Sequence, residues 1–454
     1  MALKIARSRT PPAGPLVKLP GRPGGAAHAV LFGKMIRKGN AVKIALVPND
    51  DGYGPSALGF YVAKALLKQG VSLVIVNESA LTLNASFYKD EINNGKVTLQ
   101  PTFGGIRLRK TAEGVDIPAS LRDIRSYPTR SAEYVVPEDV DAVVDIGTPP
   151  AARAARRAGK LALTIFDHSW GKTYEMLLEE FTAGVLGPTT SALPIKKTLA
   201  DYEVAKAINQ LKEDESKAQA VFLFPEFMAP RPYREHWKSL RVRIKPIGGV
   251  FGRPTVSRKK ARGRMGIPEG APARSVYILG GGTPVWDAKL SEIIQQLKEK
   301  SLPYNVVVFD RNAKPNEYVR VGDNVFKGGV IDGATVQGLL PGIDLVITRA
   351  GGGIVNDAIA CRVPFVCVEE PNHLQVEMIR QNCEKERLTR TIRIGDFRDC
   401  AIGEIIEKEL GNQTGNRRIR KVMQGIRNGM EEAVAAAIIQ LHHSPLICDY
   451  GREV

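Results

Sequence analysis

Two adjacent carboxylates, Asp50 and Asp51, stand between an apolar run and a helix-like run in the stretch "IALVPNDDGYGPSALGFYVAKALLKQG" (44–70). At the lip of a Gly- and Pro-bearing turn they could hold a divalent metal, take a proton from a hydroxyl, or join Asn49 in capping the helix. A second candidate is the Asp167-His168 pair in "TIFDHSWGKTYE" (164–175), directly after an apolar run. An Asp–His neighbourhood can make a base. On a continuing strand, however, the two side chains would point to opposite faces, so acceptor contact or a structural role fits His168 as well as catalysis does. The third is "GIDLVITRAGGGIVNDAIACRVPFVCVEEP" (342–371), where a strand pattern ends in Gly351, Gly352 and Gly353 and a helix pattern starts at once. Bare N–H groups at a helix N-terminus, with about half a positive charge from the helix dipole, make an anion site. Asp357, in that helix, is placed to accept from ribose hydroxyls. The plainer alternative is a glycine turn that permits close packing, with Asp357 in water.

These residues need elements to carry them. Short apolar runs alternate with amphipathic helical segments, the pattern of parallel sheets. "KIALVP" (43–48), "VSLVIVN" (71–77), "DAVVDIG" (141–147) and "KLALTIF" (160–166) read as one series of strands. "SVYILGGG" (275–282), "YNVVVFD" (304–310), "DLVITRAGGG" (344–353) and "PFVCVEE" (364–370) read as a second. In the first helix Leu58, Val62, Ala65 and Leu66 mark the apolar face, and "TPPAARAARRAG" (148–159) has Pro in its first turn, a favoured place for it. The expected fold class is α/β, with two doubly wound Rossmann-like domains facing a cleft and the ligand outside the carboxyl ends of the strands. The expected bounds are a disordered basic tail over 1–40 and a first domain over 41–245. A Gly-, Pro- and Arg-rich linker follows over 246–273, then a second domain over 274–412 and a closing helical segment over 413–454.

The bulk composition restricts the function classes. With 43% apolar and 25% charged residues over 454 positions, and no run of eighteen apolar residues, the chain reads as a globular protein of two domains. Its five cysteines fall in the last quarter without C-x-x-C spacing, so a disulfide framework or zinc site is not expected and a reducing, cytoplasmic setting is. Residues 1–40 hold eight Lys or Arg and no acid, half of the net +16. Such a tail shares features with organelle transit peptides, although it is poor in Ser, and equally suits plain solvation or an anionic membrane surface. The other basic runs, "SRKKARGR" (257–264) and "NRRIRK" (416–421), lack interleaved aromatics, so nucleic-acid binding has no stacking chemistry behind it. His236, His373 and His442-His443 have no partners at metal spacing, so no resident metal is expected.

The segment 342–371 resembles the donor-binding half of GT-B glycosyltransferases. It is most similar to the family of the bacterial cell-wall N-acetylglucosaminyltransferase that makes lipid II and the UDP-sugar transferases related to it. That family runs a strand into Arg-Ala-Gly, with a ribose-binding acid eight positions after the Arg and a Pro seven positions later. Arg349-Ala350-Gly351, Asp357 and Pro364 keep those spacings, with Asp where the family usually has Glu. "LGGGT" (279–283) resembles the family's diphosphate turn, which implies donor contacts for Gly281, Gly282 and Thr283. Gln375 matches the second residue of the family's hexose-binding pair, and the first is not matched. The resemblance covers about 140 residues well and the N-terminal half only in outline. There the family's Gly-His is replaced by Gly52-Tyr53, and a Tyr with a pKa near 10 is a poor base, which leaves Asp51 or His168. "PNDDGYG" also resembles the opening of stationary-phase survival nucleotidases, whose Asn-Asp-Asp-Gly binds a metal.

The resemblance implies inverting transfer of a hexosyl group from a nucleotide sugar, UDP-linked, without a metal or other cofactor, the donor being a co-substrate. Donor contacts would come from Gly281, Gly282, Thr283, Arg349, Gly351–Gly353, Asp357 and Gln375. Asp51 or His168 would be the base, with Asp50, Gly52 and Tyr53 in the acceptor-side loop. A non-catalytic nucleotide-sugar binder, a UDP-sugar 2-epimerase and the metal-dependent nucleotidase stay open beside it. The acceptor is also open: a lipid-linked one on an anionic membrane face suits the basic balance, and a small molecule suits it equally.

Overall fold

The computed structural model describes residues 42–49, 51, 54–77, 81–101, 105–111, 114–185, 194–280, 284–298, 300–310, 312–330, 335–370, 372–393 and 402–443. The basic tail expected over 1–40 lies outside them. Two seven-stranded sheets carry the fold. The first contains β1 (Lys43–Pro48), β2 (Ser72–Val76), β3 (Val97–Gln100), β4 (Ala142–Ile146), β5 (Leu161–Phe166), β6 (Ala220–Leu223) and β7 (Arg243–Pro246) in the order β3-β2-β1-β4-β5-β6-β7. The second contains β8 (Ser275–Leu279), β9 (Asn305–Phe309), β10 (Tyr318–Arg320), β11 (Val325–Gly328), β12 (Leu345–Thr348), β13 (Phe365–Val368) and β14 (Thr389–Ile392) in the order β10-β11-β9-β8-β12-β13-β14.

Each sheet grows outward in both directions from its first strand, the doubly wound arrangement. β1 pairs in parallel with β2 and β4, and β8 with β9 and β12. The β10–β11 pair is antiparallel. All eight strands expected from the apolar runs are present. Among the described residues the main helices are α1 (Gly54–Lys68), α2 (Pro149–Arg157), α3 (Trp170–Val185), α4 (Pro194–Glu215), α5 (Pro284–Lys298), α6 (Gly352–Cys361), α7 (Leu374–Lys385), α8 (Gln413–Gln424) and α9 (Glu431–His442). None is long and apolar enough to cross a membrane.

Central strands such as β4 and β5 are buried on both faces, as parallel strands covered by helices must be. The period of two then sorts the second sheet. Val276, Ile278, Leu345 and Ile347 face α5 through Leu290, Ile293 and Leu297. Tyr277, Val307, Val346 and Phe365 face inward and belong to an apolar cluster that continues through α1, α6 and α9 into the first sheet. One core thus runs through both halves.

The closing segment differs from its sequence reading. "RRIRKVMQGIRNGMEEAVAAAIIQL" (417–441) reads as a single helix, whereas the structure breaks it into α8 and α9. Residues 425–430 leave the helix to pair with the other crossover segment. Val250 N donates to Arg427 O at 2.9 Å and Gly429 N to Gly252 O at 3.1 Å. Gly429 has φ +72°, and a Cβ on Gly249 would fall 2.1 Å from Arg427 O, so glycine is required at both. α9 then packs on α1 of the first half. The expected linker is no slack tether either. It contains a helix (Arg258–Arg264), and the Arg262 guanidinium donates to Ser275 Oγ at 2.9 Å and Pro272 O at 2.8 Å.

One buried acid tests the packing of the first sheet. Asp145 on β4 is 2% exposed and accepts from Thr148 N and from Thr164 Oγ1. Burial outweighs those bonds and pushes its carboxyl up to about 7. Between about pH 4 and that value the folded state keeps a proton that the unfolded chain has lost, so stability falls as pH rises through this window. Asparagine keeps the amide-compatible shape and does not titrate. Asp145→Asn is therefore expected to match wild type in thermal unfolding near pH 4 and to exceed it by on the order of a few kcal/mol at pH 8. A constant difference across that range would refute the account.

Candidate active site

The carboxyl ends of both sheets open on one cleft. Asn49 after β1, Asp167 after β5, Leu279 at the end of β8 and Arg349 after β12 all line it. Its walls are otherwise largely apolar and aromatic, with Phe87, Phe166 and Trp170 from the first half facing Tyr277 and Phe309 from the second.

On the first half, β5 stops at Phe166, and Asp167, His168 and Ser169 form a turn into α3. Because the strand does not continue, the two side chains do not part to opposite faces. Asp167 Oδ1 lies 2.8 Å from His168 Nδ1, both residues under 5% exposed. A carboxylate on Nδ1 selects the tautomer with the proton there and leaves Nε2 as the basic nitrogen. Nε2 is buried and has no hydrogen-bond partner among the described residues. The ring is fixed by aromatic neighbours: Phe166 at 4.0 Å, Trp170 at 4.9 Å and Tyr233 at 5.7 Å between centroids. Trp170 Nε1 donates to Gly147 O at 2.9 Å, and Gly147, at φ +81°, presses on the Phe166 ring. Glu215 secures the turn from behind, accepting from Ser169 Oγ at 2.8 Å and Gly171 N at 3.2 Å and meeting His236 Nε2 at 2.9 Å.

The carboxylates of the opening stretch do something else. Asn49 does not cap α1. Its amide clamps Ile106, donating to its O at 2.7 Å and accepting from its N at 3.0 Å. Asp51 Oδ1 accepts from Lys110 Nζ at 2.7 Å, with both side chains largely buried. Burial alone would raise this carboxyl, but Lys110, helped by Arg349, overcomes it and holds the group below the usual carboxylate range. A carboxylate so held takes up a proton less readily than a free one, which weighs against Asp51 as the base. Asp50, Gly52 and Tyr53 lie outside the described residues, as do Gly281, Gly282 and Thr283.

On the second half, Gly351 is the N-cap of α6, and no side chain caps that helix. Gly352 and Gly353 open its first turn where the first half comes closest. A Cβ on Gly352 would stand 2.1 Å from Asp167 Oδ2, and one on Gly353 would stand 3.2 Å from Gly54 Cα. The Asp167 carboxylate therefore rests against the positive end of α6. Gln375 Nε2 donates to the same Oδ2 at 3.1 Å. Arg349 is not a free charge. Its guanidinium grips Glu370 at 2.8 and 3.2 Å in a buried ion pair.

Asp357 is 2% exposed. Its Oδ1 accepts from Tyr61 Oη at 2.6 Å, Gln337 Nε2 at 3.0 Å and Asn356 Nδ2 at 3.2 Å. Burial pushes its carboxyl up to about 6, against the pull of these three bonds. His373, at the N-cap of α7, is 3% exposed, and its buried Nδ1 has no partner among the described residues. Burial first, then Lys110 and Arg349, hold it well below the usual histidine range, so it is neutral.

Of the residues expected at the site, the structure brings together His168, Gly352 and Gln375 around Asp167, with Asp51, Arg349, Gly351, Gly353 and Asp357 on the same cleft. Sequence reasoning missed Tyr61, Lys110, Thr335, Gln337 and His373. Tyr61 alone carried a signal, since it stands three residues after Leu58 on the apolar stripe of α1 and ends in a hydroxyl.

No protein-family model matches the chain, and a search of curated proteins finds no significant match. Solved structures do share its architecture. A UDP-glucosyltransferase from Polygonum tinctorium is 15% identical with a TM-score of 0.54, the alignment covering 90% of this chain and 100% of that one. UGT2 of Phytolacca americana, solved with UDP-2-fluoro-glucose and pterostilbene, is 13% identical with a TM-score of 0.53, covering 89% and 100%. The calicheamicin glycosyltransferase is 14% identical with a TM-score of 0.51, covering 89% and 98%. At such identities the likeness speaks for architecture, and on that ground the chain has the two-sheet Rossmann-like fold of the GT-B glycosyltransferases.

Proposed function

We propose that the protein transfers a glycosyl group from a nucleoside-diphosphate sugar, UDP-linked, to an acceptor hydroxyl, with inversion and without a metal. The observation that carries this reading is the Asp167–His168 pair: Nδ1 of His168 meets Asp167, its buried Nε2 has no hydrogen-bond partner among the described residues, and both residues line a cleft between two Rossmann-like halves. Base and orienter in that relation are what activation of a hydroxyl requires. Neighbouring structures solved with UDP or UDP-2-fluoro-glucose support a uridine donor.

In this reading His168 Nε2 takes the proton of the acceptor hydroxyl as its oxygen attacks the anomeric carbon. The bond from that carbon to the phosphate oxygen breaks, and the nucleoside diphosphate leaves with the electron pair. The first turn of α6, against which the Asp167 carboxylate also rests, offers backbone N–H groups to the leaving charge, and Asp357 takes the ribose hydroxyls. Asp167 keeps the imidazole in the useful tautomer and stabilises the imidazolium that forms. Attack from the side opposite the leaving group inverts the anomeric centre. Asp51, bound to Lys110, serves the charge balance of the cleft rather than proton transfer.

The first test is thermal shift against UDP, GDP, dTDP and their common sugars, with and without magnesium. A ligand at about a hundred times its dissociation constant adds about 2.7 kcal/mol. Stabilisation by one nucleotide without magnesium, lost in Asp357→Ala, is the expected outcome. A response to mononucleotide only with a divalent metal would reject the transferase and favour a nucleotidase.

The second test is turnover. His168→Ala is expected to slow release of the nucleoside diphosphate by roughly 10²–10⁴-fold, the usual contribution of a positioned base, with donor affinity retained. Asp167→Asn is expected to slow it as well by presenting the wrong tautomer. Full activity in His168→Ala would remove the proposed base. Interconversion of two nucleotide sugars without nucleotide release would point to an epimerase.

A further inference from the structure

One side chain of the first half reaches into the second. Tyr61 projects from α1 in the first half into the buried network of the second. Its hydroxyl is 2.6 Å from Asp357 Oδ1 and is also hydrogen-bonded to Thr335 Oγ1. Burial first, then Asp357, raise the Tyr61 hydroxyl well above its ordinary value, so it remains a donor. Its single proton goes to the carboxylate, and the Thr335 hydroxyl therefore donates to the Tyr61 oxygen. Thr335 is in turn the N-cap of the short 3-10 turn Val336–Gly338, which carries Gln337, the second donor to Oδ1. Gln337 Nε2 also donates to Phe251 O at 3.0 Å, so the network ends on the crossover segment between the halves.

With three donors Oδ1 has no capacity left, whereas Oδ2 has no partner among the described residues, and Asp357 lines the cleft. We infer that Tyr61 is a positioning residue for donor binding: by occupying Oδ1 from the acceptor-side half it turns Oδ2 toward the ribose hydroxyls and makes donor affinity depend on the docking of the two halves. This rests on the transferase reading above and adds to it a residue outside the donor half. It differs from simple packing, because the ring itself is held by Phe60 at 5.9 Å and by the core around α1, independently of the hydroxyl.

A pH consequence follows. The titratable groups facing Asp357 are Tyr61 from α1 and Cys361 from its own helix, and the remaining contacts, Gln337 and Asn356, are neutral amides. Bonds to the ionised form favour it, so without the Tyr61 hydroxyl the carboxyl rises further above its present value of about 6.

The experiment is calorimetry of UDP binding from pH 5 to 8, with kcat and KM for the donor, on wild type, Tyr61→Phe and Thr335→Val. Wild-type affinity is expected to weaken below about pH 6, where Asp357 takes a proton. In Tyr61→Phe affinity at pH 7 falls roughly tenfold, the worth of one hydrogen bond to a charged group, and the weakening begins at higher pH. KM rises with it while kcat at saturating donor is unchanged. Thr335→Val, which loses only the hydroxyl behind Tyr61, shows a smaller shift in the same direction and serves if Tyr61→Phe does not fold. Unchanged affinity and pH profile in Tyr61→Phe, even with a lower unfolding temperature, overturns the inference and leaves the transferase reading intact. A fall in kcat with KM unchanged also overturns it. If wild type binds no nucleotide, the transferase reading fails first and this inference with it.

Discussion

The contact on which the site depends is the Asp167 carboxylate set against the first turn of α6. A helix N-terminus exposes donors and a partial positive charge, and here no side chain of its own helix answers them. The other half supplies the answer. That closeness dictates the residues around it: glycine at 352, since a Cβ there would overlap Oδ2, and glycine at 353, where Gly54 passes. The same carboxylate then has two further duties. Oδ1 meets His168 Nδ1 and Oδ2 receives Gln375, so the orientation of that imidazole, the proposed base, and the docking of the halves rest on one side chain.

Charge in this cleft is handled in two ways. Asp51 and Arg349 each have a counterion at salt-bridge distance, Lys110 and Glu370. Buried pairs of this kind contribute little net stability, yet losing one partner strands the other in low dielectric. Asp357 and, deeper in the first sheet, Asp145 have no counterion among the described residues and are met by neutral donors instead. Their carboxyls consequently titrate near neutral pH. Paired groups keep fixed charges that shape the field of the cleft, whereas the unpaired ones respond to their immediate hydrogen bonds. This is why a single hydroxyl from the opposite half has leverage on Asp357 and would have little on Asp51.

Strands with long apolar runs were legible in the sequence, because burial on both faces leaves no alternative reading. The six strands of the two large sheets that escaped are three or four residues long, and the paired Lys110–Thr111 and Gly114–Val115 escaped as well. β7, "RIKP", and β14, "TRTI", are edge strands with half-exposed, polar positions and so carry no apolar run. The closing helix was misread because residues 417–441 are helix-forming by composition and only the pairing with residues 249–252, far off in sequence, interrupts them. The site divides in the same way. Asp167-His168 and the glycines of α6 are visible because local grammar places them at strand ends. Tyr61 and Asp357 are 296 positions apart, Asp51 and Lys110 59 apart, and nothing local in either segment names its partner.

Those distant pairings have a common geometry. The chain passes between the halves twice, at residues 249–252 and 427–430, and the two passages are bonded to each other. After the second, α9 packs on α1, the helix whose N-terminus meets Gly353 and whose Tyr61 meets Asp357. Asn356, next to Asp357, is tied to the first passage, accepting from Phe251 N at 2.7 Å and donating to Phe251 O at 3.0 Å. α1 is therefore held from one side by the returning chain and from the other by the donor half. A rotation of the halves about the crossovers would move α1 against α6 and change the Gly54–Gly353, Asp167–Gly352 and Tyr61–Asp357 contacts together. Hinge motions of this type commonly gate substrate entry in two-domain enzymes. In the transferase reading proposed above, α1 would move with closure and also carries the hydroxyl bonded to Asp357, so closure and recognition would share one element.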